Sequence, residues 1–377
     1  MSRGLFWIVL FMLWYTYLGY PMLLFVISLL RHRIVRKGDI TPMVSLIITV
    51  YNEGKVIRDK LENVLGLDYP KDQLEIIVVS DGSTDSTNQI AGTYAEKGVR
   101  IITFEQRQGK HYAQGAGVRA AQGDILAFTD AAPLFKKDAL SNLVKNFADP
   151  TVGGATSEDR VLNEDNSGNK EGTYIGYEMT LRRLESQIGS VVGMSGSFFA
   201  IRKELCQPWD PDYSTDFLMA LRSVKRGLRV VHDRSSLHFY GIVSSSGEEF
   251  HRKIRTIING LRVLFSNSDI LNPLRFGFFS FEVLSHKLLR WLVPVFLFLL
   301  FAINLALIHG GWFYQAFFMA QMLFYLGAGL FFVFPGLNHS CILKIPAFFC
   351  LANGAVLVAW FKFLLGKKHR IWEPSQR

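Results

Sequence analysis

Apolar and polar positions alternate on different scales along the chain. Residues 5–30 form an uncharged apolar run. It is long enough to cross a bilayer core of about 30 Å at about 1.5 Å per helical residue. It lacks a small-residue cleavage site and is too long for a signal-peptide core, so it reads as a retained anchor. Three more apolar runs lie at 288–308, 312–334 and 345–365, with Trp291 and Trp312 placed for an interfacial aromatic belt. The last run is interrupted by Asn353-Gly354 and by Lys362, which favours a re-entrant or interfacial segment with the tail on the side of the central region. If all three runs cross, the tail lies on the opposite side.

Between the anchor and these runs, residues 41–240 alternate short β-branched runs with helical patterns. Strands are expected at Val44–Val50, Leu74–Val79, Val99–Phe104 and Asp124–Thr129, with helices near Val56–Leu65 and Ser86–Lys97. This spacing predicts an α/β domain with a mainly parallel sheet. Ligands of such sheets bind beyond the carboxyl ends of the strands. Residues 248–287 interleave Arg252, Lys253, Arg255, Arg262 and Lys287 with Ile254, Ile258, Leu261 and Leu264. That pattern suits amphipathic helices in a membrane interface; a domain helix with a solvated basic face is the alternative. The expected organisation is an anchor with basic flank (1–40), a catalytic domain (41–247), interface helices (248–287) and a C-terminal membrane region with tail (288–377).

Charge sharpens this division. The 377 residues carry a formal +9, yet residues 31–287 hold 33 of the 41 Lys and Arg and 31 of the 32 Asp and Glu. The excess lies beside apolar runs, which is a membrane signature and excludes a nucleic-acid-binding footprint. Arg31, Arg33, Arg36 and Lys37 follow the first run, so the positive-inside rule puts the central region in the cytoplasm of an inner (plasma) membrane protein. The three cysteines have neither the number nor the spacing of a disulfide framework or zinc site, and the nine histidines show no ligand spacing.

Candidate chemistry gathers at the four strand ends: Tyr51-Asn52-Glu53, then Asp81-Gly-Ser-Thr-Asp85, then Arg107-Gln-Gly-Lys110, then Asp130. Asp81 and Asp130 can accept hydrogen bonds from a base or ribose, and Arg107 and Lys110 can neutralise a diphosphate. Taken singly, these are ordinary loop, cap and surface residues; their order on one sheet edge makes the functional reading. Gly115-Ala-Gly117 lacks the rest of a dinucleotide fingerprint and falls in a helical stretch.

The segments VSLIITVYNE, IIVVSDGSTDST, RQGK, GDILAFTDA, GMSGSFFAIRKEL, STDFLMALRSVKRGLRVVHD and EEFHRKIRTIINGL with SHKLLRWLVP cover about 44–294 in order. Together they resemble the membrane-bound family 2 glycosyltransferases, whose catalytic domain has the GT-A fold. The chain looks most like the branch containing poly-N-acetylglucosamine, hyaluronan and cellulose synthases and ceramide glucosyltransferase. The resemblance implies an inverting transferase that moves a sugar from a UDP-sugar donor to a glycan or lipid acceptor, in exopolysaccharide or cell-envelope glycan synthesis. It implies that Tyr51, Glu53 and Asp81 line the uridine pocket, that Lys110 lies near the diphosphate, and that Gly196 and Ser197 shape the donor and acceptor pocket. It also implies that Arg252 and Arg255 supply interface cations, and that Asp130 is the first acid of an Asp-x-Asp metal motif for Mg²⁺ or Mn²⁺. Thr215-Asp216 matches the acidic base motif; the residue-level alternative for Asp216 is an N-cap of the following helix.

Two departures stand out. Asp130-Ala131-Ala132 has alanine where the family's second metal-binding side chain stands, and hard divalent cations want oxygen ligands. Either Asp130 holds the metal with diphosphate, water and a late residue such as His238, or cations such as Lys110 replace it, or the protein is a catalytically impaired nucleotide-sugar-binding subunit. Arg252-Lys253-Ile254-Arg255-Thr256 also lacks the Trp of the Gln-x-x-Arg-Trp found in processive synthases. Transfer of a single sugar to a lipid carrier or glycolipid is therefore the alternative to polymer synthesis.

Overall fold

The structure is a computed structural model describing residues 2–161, 170–241, 246–334, 336 and 340–367. The chain forms two compact units. One comprises Met1–Leu23, Ser245–Leu261 and Phe281–Lys368; the other comprises Leu24–Ser244 and Arg262–Ser280.

The second unit is built on an eight-stranded sheet. Its strands are β1 (Val44–Val50), β2 (Leu74–Ser80), β3 (Val99–Thr103), β4 (Ile125–Asp130), β5 (Leu134–Phe135), β6 (Val152–Val161), β7 (Phe198–Arg202) and β8 (Arg229–Tyr240). The order is β3-β2-β1-β4-β7-β6-β8-β5. β3, β2, β1 and β4 are parallel, β7 is antiparallel to β4 and β6, and β6 and β8 are parallel. The sheet is thus mixed and mostly parallel. Every residue of β1 is buried, as a central strand covered by helices on both faces requires. Leu46, Ile48, Val78, Ala127, Leu140, Val144 and Phe198 form the core on one face.

Register decides where chemistry can occur. Val50 pairs with Ser80, Ser80 with Thr103, and Thr49 with Asp130, so the four parallel strands end side by side on one edge. The helix Ile57–Leu65 after β1 buries Ile57, Leu61 and Val64, and also Lys60.

The first unit holds helices long and apolar enough to cross a membrane. Four such helices occur among the described residues: Ser2–Leu30, Phe278–Ala306, Trp312–Val333 and Ile342–Leu364. The second begins ten residues before the run expected from 288. Glu282, His286 and Lys287 mask its start in the sequence, yet Glu282 and His286 are buried. The last is one continuous helix through Asn353-Gly354, so the polar pair that interrupts the apolar run does not break the helix. Asn353 Nδ2 donates to the Phe349 carbonyl 2.9 Å away, one turn back, so the amide is satisfied inside the helix. Within this unit Phe6 and Val9 pack with Leu300, Leu307 and Tyr314, and Tyr15 and Ser285 hydrogen-bond at 2.9 Å.

The basic segment forms one amphipathic helix, Ser246–Ser266. Its Ile254 and Ile258 pack against Ala355 and Ala359 of the last membrane-length helix. Part of its apolar stripe is therefore covered by protein rather than turned to lipid. Gly260 is required there, since a Cβ would lie 2.7 Å from the Trp291 ring.

Candidate active site

The loops after β1, β2 and β3 are bound to one another. Asn52 adopts φ 51°, in the left-handed region that Asn tolerates better than most residues. Its side chain accepts from the Thr84 amide at 2.8 Å. The Glu53 amide donates to Thr87 Oγ1 at 2.8 Å and the Gly54 amide to Asp85 at 2.9 Å. Burial pushes the Asp85 carboxyl up, but bonds from the Thr87 hydroxyl, the Thr87 amide and the Gly54 amide outweigh it and hold it below its ordinary value. Asp81 is buried, and its two oxygens accept the backbone amides of Gln108 and Gly109 at 2.7 and 2.8 Å. Gly82 has φ +72°, and a Cβ there would lie 2.8 Å from the Arg107 amide nitrogen. The Asp81-Gly82 turn thus fixes the backbone that carries Arg107 and Lys110.

Arg107 lies over the Tyr51 ring, its guanidinium carbon 3.6 Å from the ring centroid. Its Nε and Nη2 are buried without a hydrogen-bond partner among the described residues. Lys110, the first residue of the helix Lys110–Ala120, brings Nζ to 2.5 Å from Asp130 Oδ1 at the end of β4. Behind them Lys60 is fully buried; its Nζ donates to Thr129 Oγ1 at 3.0 Å and the Pro133 carbonyl at 2.6 Å, and lies 3.6 Å from the Phe135 ring centroid. Burial drives the Lys60 amine well below its ordinary value, against the pull of Asp130.

Asp216 is the second residue of the helix Thr215–Lys225, whose N-cap position belongs to Ser214. The N-cap reading of Asp216 is thereby corrected. A Cβ on Gly196 would lie 3.7 Å from Asp216 Oδ2, so the carboxylate faces the glycine turn before β7. In that turn the Ser197 amide donates to Ser195 Oγ at 3.3 Å, and the Ser195 amide to Thr156 Oγ1 at 2.8 Å. Thr215 Oγ1 donates to Gln114 Oε1 at 2.5 Å and lies 3.3 Å from His111 Nδ1. This contact ties the N-terminus bearing Asp216 to the N-terminus bearing Lys110. Arg182, mostly buried and paired with Asp159 at 3.2 Å, adds a positive charge within electrostatic reach of Asp216. Burial works against the guanidinium's charge, but Asp159 and Glu178 outweigh it and hold its pKa above the ordinary value.

A family model described as "Glycosyl transferase family group 2" matches residues 127–333, and one described as "Glycosyl transferase family 2" matches residues 45–208. The chain belongs to the family 2 glycosyltransferases. Poly-beta-1,6-N-acetyl-D-glucosamine synthase of Staphylococcus aureus strain COL is 26% identical over 284 residues, 72% of this chain and 68% of the relative. The Staphylococcus epidermidis synthase of the same name is 28% identical over 180 residues, 46% of this chain and 43% of that one. Among solved structures, a mannosyltransferase from Pyrobaculum calidifontis, in complex with GDP-Man and Mn²⁺, superposes with TM-score 0.75 at 22% identity and covers 98% of this chain and 100% of its own. That likeness speaks for the GT-A fold.

Within this family 2 glycosyltransferase, the sheet edge brings together Tyr51, Asp81, Lys110 and Asp130, and the second helix N-terminus brings Asp216 to Gly196. Arg252 and Arg255 lie on the helix Ser246–Ser266, in the part that belongs to the other unit. Arg252 is engaged by Glu249, with Nη2 at 2.6 Å, and Lys253 Nζ is 2.8 Å from the same carboxylate. His238 is buried on β8, with Nδ1 3.0 Å from Ser157 Oγ and Nε2 3.7 Å from Asp159 Oδ1. Lys60, His111, Gln114 and Arg182 were not singled out by sequence. Lys60 left a signal, standing on the apolar stripe of Ile57, Leu61 and Val64 at helical spacing. The acidic stretch 158–171 reads in sequence as a loop; residues 158–161 belong to β6, residues 170–171 begin the helix Lys170–Ile188, and residues 162–169 lie outside the described residues.

Proposed function

We propose that this glycosyltransferase transfers a sugar from a UDP-sugar to a hydroxyl of a glycan or lipid acceptor with inversion, in exopolysaccharide or envelope-glycan synthesis. The observation that carries this reading is the bond of Thr215 to Gln114, which couples a carboxylate at one helix N-terminus to a lysine at another. In-line displacement needs both groups. Asp216 takes the proton of the acceptor hydroxyl as its oxygen attacks the anomeric carbon. The bond from that carbon to the diphosphate oxygen breaks on the opposite side, which inverts the centre. Lys110 and Arg107 meet the charge developing on the leaving diphosphate. Tyr51 under Arg107 offers a flat surface for the base, and Glu53 and Asp81 border it. Gly196 and Ser197 leave room beside Asp216 for the acceptor. The identity to poly-beta-1,6-N-acetyl-D-glucosamine synthases supports a glycan product.

The residues at the end of β4 do not make a divalent-cation site. Asp130 already contacts Lys110, Ala131 and Ala132 offer no side-chain oxygen, and His238 is engaged by Ser157 and Asp159. No step here is routed through a metal. The basic flank after the first apolar helix supports a cytoplasmic catalytic unit in an inner membrane.

Purified full-length protein in lipid, screened with UDP-sugars and read by product mass, tests the reading. Asp216→Asn should lower turnover by about 10²- to 10⁴-fold, the usual worth of a general base, while UDP binding is kept. Retained turnover would remove Asp216 as the base. UDP binding with no turnover by the wild type would favour a nucleotide-sugar-binding subunit.

A further inference from the structure

The misfit between the end of β4 and a metal site has a counterpart in the cations around it. A divalent ion brings two positive charges to a diphosphate. Arg107 and Lys110, which flank the two backbone amides that Asp81 accepts, bring two as well. Of the acids nearby, Asp81 has both oxygens on backbone amides, and Asp130 has one oxygen 2.5 Å from Lys110 Nζ. Among the described residues Arg107 holds two buried guanidinium nitrogens without hydrogen-bond partners, an arrangement that costs stability unless an anion completes it. Lys60 spans the turn that carries Ala131 and Ala132, bonded to Thr129 on one side and Pro133 on the other. That clasp fixes the turn in which the missing ligand would have to stand.

We propose that Arg107 and Lys110 take the place of the divalent cation on the donor diphosphate, with Asp130 as the positioning partner of Lys110, so that donor binding is independent of metal. This rests on the nucleotide-sugar reading of the same site. The chemistry requires no further component: the leaving diphosphate departs with its electron pair and is met by fixed guanidinium and ammonium groups in place of a bound ion.

The test is calorimetric titration of full-length protein in lipid nanodiscs with UDP and, separately, GDP, each in EDTA and in MnCl₂. The diphosphate that binds should do so equally in both media, within about twofold, and Lys110→Met should weaken it roughly ten- to a hundredfold in both, the worth of one charged hydrogen bond. Ala132→Asp, which restores a carboxylate, should make binding tighter in MnCl₂ than in EDTA. A wild type that loses more than about tenfold in EDTA overturns the proposal and leaves the donor reading standing. Metal-independent binding of GDP with none of UDP removes the uridine reading and supports the proposal. Failure of both nucleotides to bind in EDTA overturns it whatever the variants do.

Discussion

His111 follows the lysine of the candidate diphosphate site and faces Gln114, Thr215 and, at longer range, Asp216 and Asp130. Burial and the neighbouring Lys110 charge push its imidazole below the ordinary value, and Gln114, Asp216 and Asp130 offset only part of this. Below about pH 6.5 the unfolded chain therefore takes up a proton that the folded histidine does not. Stability should be complete above that pH and fall as the solution is acidified through the depressed folded value. Thermal unfolding followed between about pH 7 and pH 5 should show this fall, and His111→Gln, which keeps a polar contact to Thr215, should flatten it. An unchanged slope in the variant would mean that His111 titrates as in the unfolded chain. At this scale the placement of the candidate residues was readable where it follows chain order: Tyr51, Lys110, Asp130 and Asp216 stand at strand exits or a helix start. The two hydrogen bonds that Asp81 accepts from the amides of residues 108 and 109, and the one that Thr215 donates to Gln114, join segments about 27 and 101 residues apart, and no local pattern encodes such a pairing.

The helix Lys110–Ala120 shows how one element is pressed into place. It has glycine at 115 and 117, each a poor helix residue by about 1 kcal/mol relative to alanine. The reason is contact. A Cβ at Gly117 would lie 2.6 Å from Ile47 Cγ2 on β1, and one at Gly115 would lie 2.5 Å from Trp209 Cδ1, whose Nε1 donates to the His111 carbonyl at 2.8 Å. Overpacking of this kind costs about 1–3 kcal/mol, which exceeds the propensity gained. Gly117→Ala should accordingly lower the unfolding temperature of the purified protein, and adding Ile47→Ala should recover part of the loss beyond the sum of the two single changes. Additive losses would place the clash elsewhere. The Gly-Ala-Gly signal thus marks close helix-to-sheet packing, consistent with its poor match to a dinucleotide motif. Strands β1, β2 and β4 were legible because parallel strands buried on both faces read as short β-branched runs, and the half-exposed edge strand β3 was legible from its Val, Ile and Thr content. Strand β5 has two residues, β6 is rich in Gly and acids, and β8 carries His232, Asp233, Arg234 and His238, several of them buried only because Glu158, Lys37 and Ser157 receive them. Polar strands satisfied by tertiary partners give no periodic signal.

For the molecule as a whole, the number of crossings decides which segments share a side of the membrane. The interruption at Asn353-Gly354 and the basic residues that follow Leu364 suggested an odd count, with the tail on the side of the residues between the first and second runs. The helix Cys341–Leu364 runs unbroken, because Asn353 closes its hydrogen bond within the helix, and its length and apolar composition allow a fourth crossing, which makes the expected count even. One internal contact agrees with crossings by the first two helices, whichever way the last one lies: Arg3 Nη2 donates to the Gly310 carbonyl at 3.1 Å, joining the start of the first membrane-length helix to the turn between the second and third. With four crossings the residues after Leu364 lie on that same side, opposite His32. The basic tail then opposes the positive-inside tendency, whereas Arg31, Arg33, Arg36 and Lys37 obey it; orientation follows the first helix and its flank in most such proteins. Cysteine substitutions at the exposed positions His32 and Gly366, in a background lacking the native cysteines, make this measurable with a membrane-impermeant maleimide on intact cells. Gly366→Cys should be labelled and His32→Cys protected until the membrane is opened. The reverse pattern would invert the orientation while keeping four crossings. Equal labelling or equal protection of the two sites would mean that one of the four helices does not cross, and the apolar helix Ile342–Leu364 would be the first to re-examine.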